Sequence, residues 1–350
     1  MRHLRKALAP VTTRKGECVR NMLALVFILT LVCGAVSCGK EADDPGKPDA
    51  PTPPRIAVIP KATAHSFWKT VQAGAVKAGR ELGVEVIWIG PQKEDDRTQQ
   101  IQVVQNFIAG QADAIVLAPL DEVALTAPVE LAVSRGIPVV IIDSALKSEA
   151  QSSFVATDNR EGGRLAARRL AEVMGGKGKA VMLRYNPGHA STGNREEGFL
   201  EEMKAKFPDI ELVSTNQYGG VSELSAATAG QGLLNKYGDE IQGIFCPNES
   251  SSFGMLRALE NTGRAGKINF VGFDASQGLI DGMRAGNIHG LVAQDPFDMG
   301  YKGVKTAVAV LNGETVERQI ATRLTLVTPE NLDTDEVRQV IEPELSRWLE

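Results

Sequence analysis

The groups in this chain best placed to do chemistry are carboxylates that end short apolar runs. Residues 268–274 read Ile-Asn-Phe-Val-Gly-Phe-Asp, followed by Ala275, Ser276, Gln277 and Gly278. The pattern recurs at Val139–Asp143, at Ile244–Glu249 and, more weakly, at Leu291–Asp295. A run this short, rich in β-branched and aromatic residues, reads as a buried strand. A carboxylate at its C-terminal end stands at the mouth of an open α/β sheet, where such folds bind ligands. The expectation is that these strand ends converge on one small polar ligand.

The elements that must position them alternate along the chain. Strands are expected at Ile56–Ile59, Val84–Ile89, Ala114–Ala118 and Val139–Asp143. Helices are expected between them, at Phe67–Leu82, Thr98–Ala109 and Glu122–Ser134, the last stopped by Gly136 and Pro138. After Phe154–Asp158 the alternation restarts with a helix from Arg160 to Met174, for which Asp158 or Asn159 is a suitable cap. It continues through a helix at Asn194–Phe207, a strand at Ile268–Phe273, a helix at Met299–Leu311, a last strand at Thr322–Val327 and a terminal helix at Thr334–Trp348. The fold class is therefore α/β: two doubly wound units with largely parallel sheets.

The first residues are of another kind. Arg2, Arg5, Lys6, Arg14, Lys15 and Arg20 precede an apolar stretch from Met22 to Val32, and Ala35-Val36-Ser37-Cys38 follows. This reads as an export signal over residues 1–37, with Cys38 in the position of a lipidated cysteine. An uncut membrane anchor is the alternative, and the run is short for a span. Residues 38–54 carry Pro45, Pro48, Pro51, Pro53 and Pro54 and read as a loose tether. Six Lys/Arg and one Glu leave with residues 1–37, which takes the net charge from −5 to −10. That balance excludes nucleic acid as a partner. Cys246 would be the one cysteine left in the folded body, inside an apolar run, so no internal disulfide is expected.

Motifs for catalysis are missing. Gly175-Gly176-Lys177-Gly178 follows a helix rather than a strand and fails as a dinucleotide fingerprint. Gly220-Val221-Ser222-Glu223-Leu224 lacks the closing glycine of a nucleophile elbow. No Cys/His metal spacing exists. The expectation is a protein that is not an enzyme and needs no cofactor or metal.

Several segments together resemble the periplasmic sugar-binding proteins of the ribose-binding class, which serve ABC importers. They are Ser66-Phe67-Trp68, Val139–Asp143, Asn194–Phe199, Asn248-Glu249, Val271–Asp274 and Val292–Asp295. The resemblance runs from Pro60 to the chain's end. It implies a type I periplasmic binding fold and a ligand site built from Phe67, Trp68, Asp143, Arg195, Asn248, Asp274 and Gln294, with His65 and Tyr218 as weaker members. The chemistry suits a sugar, whose hydroxyls both donate and accept. Carboxylates accept, a guanidinium donates, amides do both, and aromatic rings cover the sugar's faces. Asp143 and Asp274 could instead cap helices, Asn248 could close a turn, Arg195 could lie on a surface, and one of Phe67 and Trp68 could be core. His65 stands where ribose binders have an amide and Ser144 where they have an arginine, which points to a pentose or hexose other than ribose.

The resemblance also implies three crossings between lobes, near Thr157, Gln294–Asp295 and Arg323. One lobe would hold residues 55–157 and 295–322, the other 158–294 and 323–350. The expected partners are a monosaccharide or similar polyol, an importer permease, and a membrane through Cys38, with the protein a monomer. A sugar-sensing receptor component for chemotaxis or signalling is the alternative. The effector domain of a sugar-responsive repressor is disfavoured by the export signal, and an enzyme by the missing motifs.

Overall fold

The computed structural model describes residues 52–349, apart from the side chain of Asp239. The signal segment, Cys38 and most of the tether lie outside the described residues. Two six-stranded sheets organise the rest. The first runs, edge to edge, Gln319–Ala321 (β11), Ser153–Ala156 (β5), Val139–Ile142 (β4), Ala114–Leu117 (β3), Arg55–Ile59 (β1) and Glu85–Trp88 (β2). The second runs Leu324–Val327 (β12), Gly290–Gln294 (β10), Asn269–Phe273 (β9), Gly243–Phe245 (β8), Gly178–Arg184 (β6) and Ile210–Tyr218 (β7). All pairs are parallel except β10 with β12. Apart from that edge pair, the two sheets repeat one plan position by position.

Strands β3 and β4 are buried at every residue, because helices cover both faces of the sheet. On one face Val71 and Ala75 of Ser66–Leu82 (α1) pack with Met299 and Val304 of Pro296–Leu311 (α9). On the other lie Val104 and Phe107 of Arg97–Ala109 (α2) and Val129 of Thr126–Ser134 (α3). The second sheet is sandwiched likewise. Asn159–Val173 (α4) and Ala190–Lys206 (α5) cover one face. Glu223–Tyr237 (α6), Glu249–Asn261 (α7), Gln277–Arg284 (α8) and Asp335–Ile341 (α10) cover the other.

Two helix pairs touch backbone to backbone. A Cβ on Gly163 would fall 1.9 Å from the Arg195 carbonyl oxygen, and one on Gly198 2.0 Å from that of Arg160. Gly74 against Phe297 and Gly300 against Val71 make the same contact between α1 and α9, at 1.9 and 2.0 Å. Only hydrogen fits at these positions, so α5, which carries Arg195, is seated directly on α4.

The chain passes from sheet to sheet after β5, after β10, and between β11 and β12. At the first and third passages the hydroxyls of Thr157 and Thr322 are hydrogen-bonded at 3.0 Å.

Four elements depart from the sequence reading. Helix α3 begins at Thr126 rather than Glu122, because residues 121–125 form a turn in which Asp121 accepts from the amides of Val123 and Ala124. Thr322–Val327 is not one strand: only Leu324–Val327 pairs in the second sheet, and a separate β11 precedes it in the first. Helix α5 begins at Ala190 rather than Asn194, through Ser191, Thr192 and Gly193, residues of weak helix propensity. The terminal helix breaks after Ile341, because Pro343 cannot continue it. The last turn, Ser346–Leu349 (α11), sits on α1, where the Arg80 guanidinium donates to the carbonyls of Arg347 and Trp348 at 3.1 and 3.3 Å. The tail expected with the second lobe thus ends against the first.

Candidate functional site

Strands β4 and β9 hold equivalent places in their sheets, and each is followed at once by an aspartate. Asp143 has φ 63° and Asp274 φ 66°. Their amides donate to the next strand at 3.1 Å (Val155 carbonyl) and 2.9 Å (Val292 carbonyl). Left-handed backbone costs a residue with a Cβ about 1–2 kcal/mol, and such strain clusters at functional sites. Neither aspartate caps a helix; Ser276 takes that position on α8.

Both carboxylates line one cavity between the C-terminal edges of the two sheets, with about 410 Å³ of space among its walls, part of it open to solvent. Phe67, Trp68, Arg195, Asn248, Gln294 and His65 line it too. Tyr218 does not: it is 39% exposed at the end of an edge strand, its ring 5.2 Å from the Arg184 guanidinium. It pairs with Arg184 in the outermost strand of its sheet, and Tyr185 supplies the ring from the second lobe instead. Trp68 is 2% exposed and belongs to the core beneath α1, while Phe67 is only partly buried and stands edge-on to it at 5.0 Å.

Arg195 is 2% exposed. Its Nε donates to Asn159 at 2.7 Å and its Nη1 to the Pro247 carbonyl at 2.9 Å, with the guanidinium 4.0 Å over the Phe273 ring. Those contacts fix the fork and leave Nη2 for a ligand. Burial pulls its pKa down, against the nearby charges of Asp274 and Asp143. Asp274 accepts from Gln294 Nε2 at 2.8 Å and the Glu249 amide at 2.9 Å, and lies 4.0 Å from Arg195. Burial raises its pKa, with Arg195 and Gln294 opposing. The Gln294 Oε1 is buried with no partner among the described residues, so it can accept from a ligand hydroxyl. Asn248 both lines the cavity and caps α7: its Oδ1 accepts from the Ser251 amide at 3.3 Å and its Nδ2 donates to Ser250 at 3.1 Å. His65 stands before the first residue of α1 but makes no capping bond, so its ring is free for the cavity.

Sequence reading missed Lys61, Glu94, Tyr185, Ser191, Thr192 and Ser250 as lining residues, and noticed Glu249 as a strand end and in the resembling pair Asn248-Glu249 without placing it in the site. Lys61, 3% exposed, forms an ion pair with Asp143 at 2.6 Å. Glu94 accepts from Trp68 Nε1 at 2.6 Å and from the Tyr185 hydroxyl at 2.7 Å. Burial pushes its pKa up, but Lys61, His65, His189 and the Tyr185 bond together hold it below the usual range. Glu249 accepts from the Ser66 hydroxyl and, at 3.2 Å, from the Phe67 amide at the α1 N-terminus, where the helix dipole favours an anion. Its own pKa is raised, first by burial and then by Asp274. Among the described residues no cluster of three or more His, Cys, Asp or Glu is placed to hold a metal, and no helix is long and apolar enough to cross a membrane.

Two sheets of one plan, facing each other across a polar cavity at their C-terminal edges, define the type I periplasmic binding fold. The chain belongs to the family described as periplasmic binding protein domain, whose model matches residues 56–315. It is 29% identical over 264 residues to the ribose import binding protein RbsB of Bacillus subtilis, covering 75% of this chain and 84% of that one. A carbohydrate transporter solute-binding protein from Agrobacterium radiobacter, solved with D-arabinose, is similar with a TM-score of 0.81 and 35% identity, over 83% of this chain and 100% of the other. An ABC transporter solute-binding protein from Agrobacterium vitis, with bound D-fucose, gives 0.78 and 35%, over 82% and 99%.

Proposed function

We propose that the protein is the solute-binding component of an ABC-type sugar importer and that it holds one monosaccharide between its two lobes. The observation that carries this is the matched pair Asp143 and Asp274, one from each sheet, bordering a cavity that also offers Arg195 Nη2 and Gln294 Oε1. These groups donate to or accept from ring hydroxyls, and each charge-assisted bond in a dry cleft contributes roughly 1.5–3 kcal/mol. A few such bonds, less ordering and desolvation costs, give micromolar binding, about −8 kcal/mol. Phe67 supplies an apolar face. Relatives crystallised with D-arabinose and D-fucose support the ligand class. The reading is of a binding protein rather than an enzyme, exported and anchored by lipid on Cys38, with a permease that recognises the closed form. The test is calorimetric titration of residues 39–350 with a panel of aldopentoses, aldohexoses, their 6-deoxy forms and polyols. Micromolar binding of one of them is expected; no binding across the panel would overturn the assignment.

A further inference from the structure

Lys61 lines the cavity, yet its ammonium is already engaged by three neighbours. An ammonium has three N–H groups. Here two of them are donated, to the Ser144 hydroxyl at 2.9 Å and the Ser191 hydroxyl at 3.1 Å, and the Asp143 carboxylate lies 2.6 Å away as counter-ion. Lys61 follows β1 and Ser144 follows β4, both in the first lobe, whereas Ser191 lies in the first turn of α5 in the second. The Ser191 amide also donates to the Ser144 hydroxyl across the same gap, at 3.0 Å. All three of these residues are at most 3% exposed, so the cluster is dry.

We propose that Lys61, Ser144 and Ser191 form a latch that closes the lobes without a ligand, and that Lys61 is a positioning residue rather than a ligand donor. The proposal rests on the sugar-binding reading, but the latch itself is read without sugar. Two consequences follow from the geometry. First, the latch is complete only when α5 meets the first lobe, so it stabilises the closed state and biases the equilibrium before a ligand arrives. A ligand that binds only the closed state then gains apparent affinity from the closed population already present. Second, the Lys61 charge is already matched by Asp143. The cavity's remaining charges are Glu94, Glu249 and Asp274 against Arg195. That balance repels anions, so the site takes neutral sugars and rejects their uronic and aldonic acids, although a lysine stands in its wall.

Ser191→Ala removes the second-lobe acceptor and leaves the Lys61–Asp143 pair and both lobes' cores intact. Small-angle scattering of the ligand-free protein, which needs no sugar, should show the wild type more compact than Ser191→Ala. Stopped-flow binding of the sugar identified by calorimetry should show dissociation about tenfold faster in Ser191→Ala, the loss expected for a hydrogen bond to a charged group. Lys61→Met should open the ligand-free protein as well; should it fold poorly, Ser191→Ala alone decides. Calorimetry with the matching uronic acid should give binding at least tenfold weaker than the neutral sugar. Identical scattering of wild type and Ser191→Ala would overturn the latch. Tight uronate binding abolished by Lys61→Met would overturn the second claim and make Lys61 a ligand donor.

Discussion

Asp143 and Asp274 are the same residue of the plan used twice: each follows the third strand in from its sheet's β11 or β12 edge, in left-handed backbone, with its amide tied to the neighbouring strand. Their surroundings then diverge. Asp143 faces an ammonium at 2.6 Å, and Asp274 a guanidinium at 4.0 Å together with an amide side chain. One backbone device thus presents two acceptors of different strength from opposite walls.

Replacement by asparagine keeps the left-handed backbone, which this residue tolerates, and removes the charge. Asp274→Asn should weaken sugar binding by about tenfold to a hundredfold, as loss of a charge-assisted acceptor does, with a small change in Tm. Asp143→Asn should lose similar affinity and also melt earlier, because it leaves the Lys61 ammonium buried without its counter-ion. Calorimetry and thermal melts of both variants read this; equal melting of the two would contradict the asymmetry.

Gly163 sits on the backbone of Arg195. Gly163→Ala forces α5 away from α4, which should cost about 1–3 kcal/mol by overpacking and shift the guanidinium off Asn159 and Pro247. Sugar affinity should therefore fall together with Tm. Full affinity in the folded variant would show that Arg195 is not held by this contact.

His189, 4% exposed, lies in the second lobe beside the Tyr185 ring, and Lys61, Glu94, Asp143 and Arg97 of the first lobe surround it. Burial, reinforced by Lys61, lowers its pKa from 6.5 to about 4. The folded value is depressed, so the neutral ring's contribution is whole above pH 6.5 and is lost as the pH falls toward 4. The loss amounts to ~3 kcal/mol at most. The raised carboxyls of Asp274 and Glu249 act with the opposite sign, since they gain protons more readily when folded. Comparison with His189→Gln isolates the histidine: the wild type should lose stability relative to the variant between pH 6.5 and 4. Parallel curves would count against it.

Cys38 is the proposed lipid attachment point. Cys38→Ser should leave the protein in the soluble fraction of cells that carry its wild type in the membrane fraction. Unchanged partitioning would argue for another anchor.

The architecture was legible because strands β3 and β4 are continuous apolar runs and β9 and β10 are apolar but for Asn269 and Gln294 at their ends, and their sheet positions follow from β–α alternation. Strand β11 was not, since its Gln-Ile-Ala is largely exposed and has no periodicity to read. The carboxylates of the site stood out as abrupt ends to such runs. Arg195 did not: amid Glu196, Glu197, Glu201 and Glu202 it looks like a surface helix residue, and only resemblance singled it out. Lys61 pairs with residues 83 and 130 positions away, and Glu94 with one 91 away. No local pattern encodes such partners; the order of strands within the first sheet and the crossing of the chain between sheets create them. Tyr218 was misplaced because it ends β7, the edge strand of its sheet, where its ring is exposed rather than turned to the cavity.

The bonded hydroxyls of Thr157 and Thr322 couple two of the connecting strips into a single ribbon. Strips left independent could slide past each other and let one half screw or shift sideways on its partner. Strips stapled at mid-length behave like a door's paired leaves on a common pin: swinging remains easy, slippage does not. Each reopening should therefore bring the same two walls back into the same alignment.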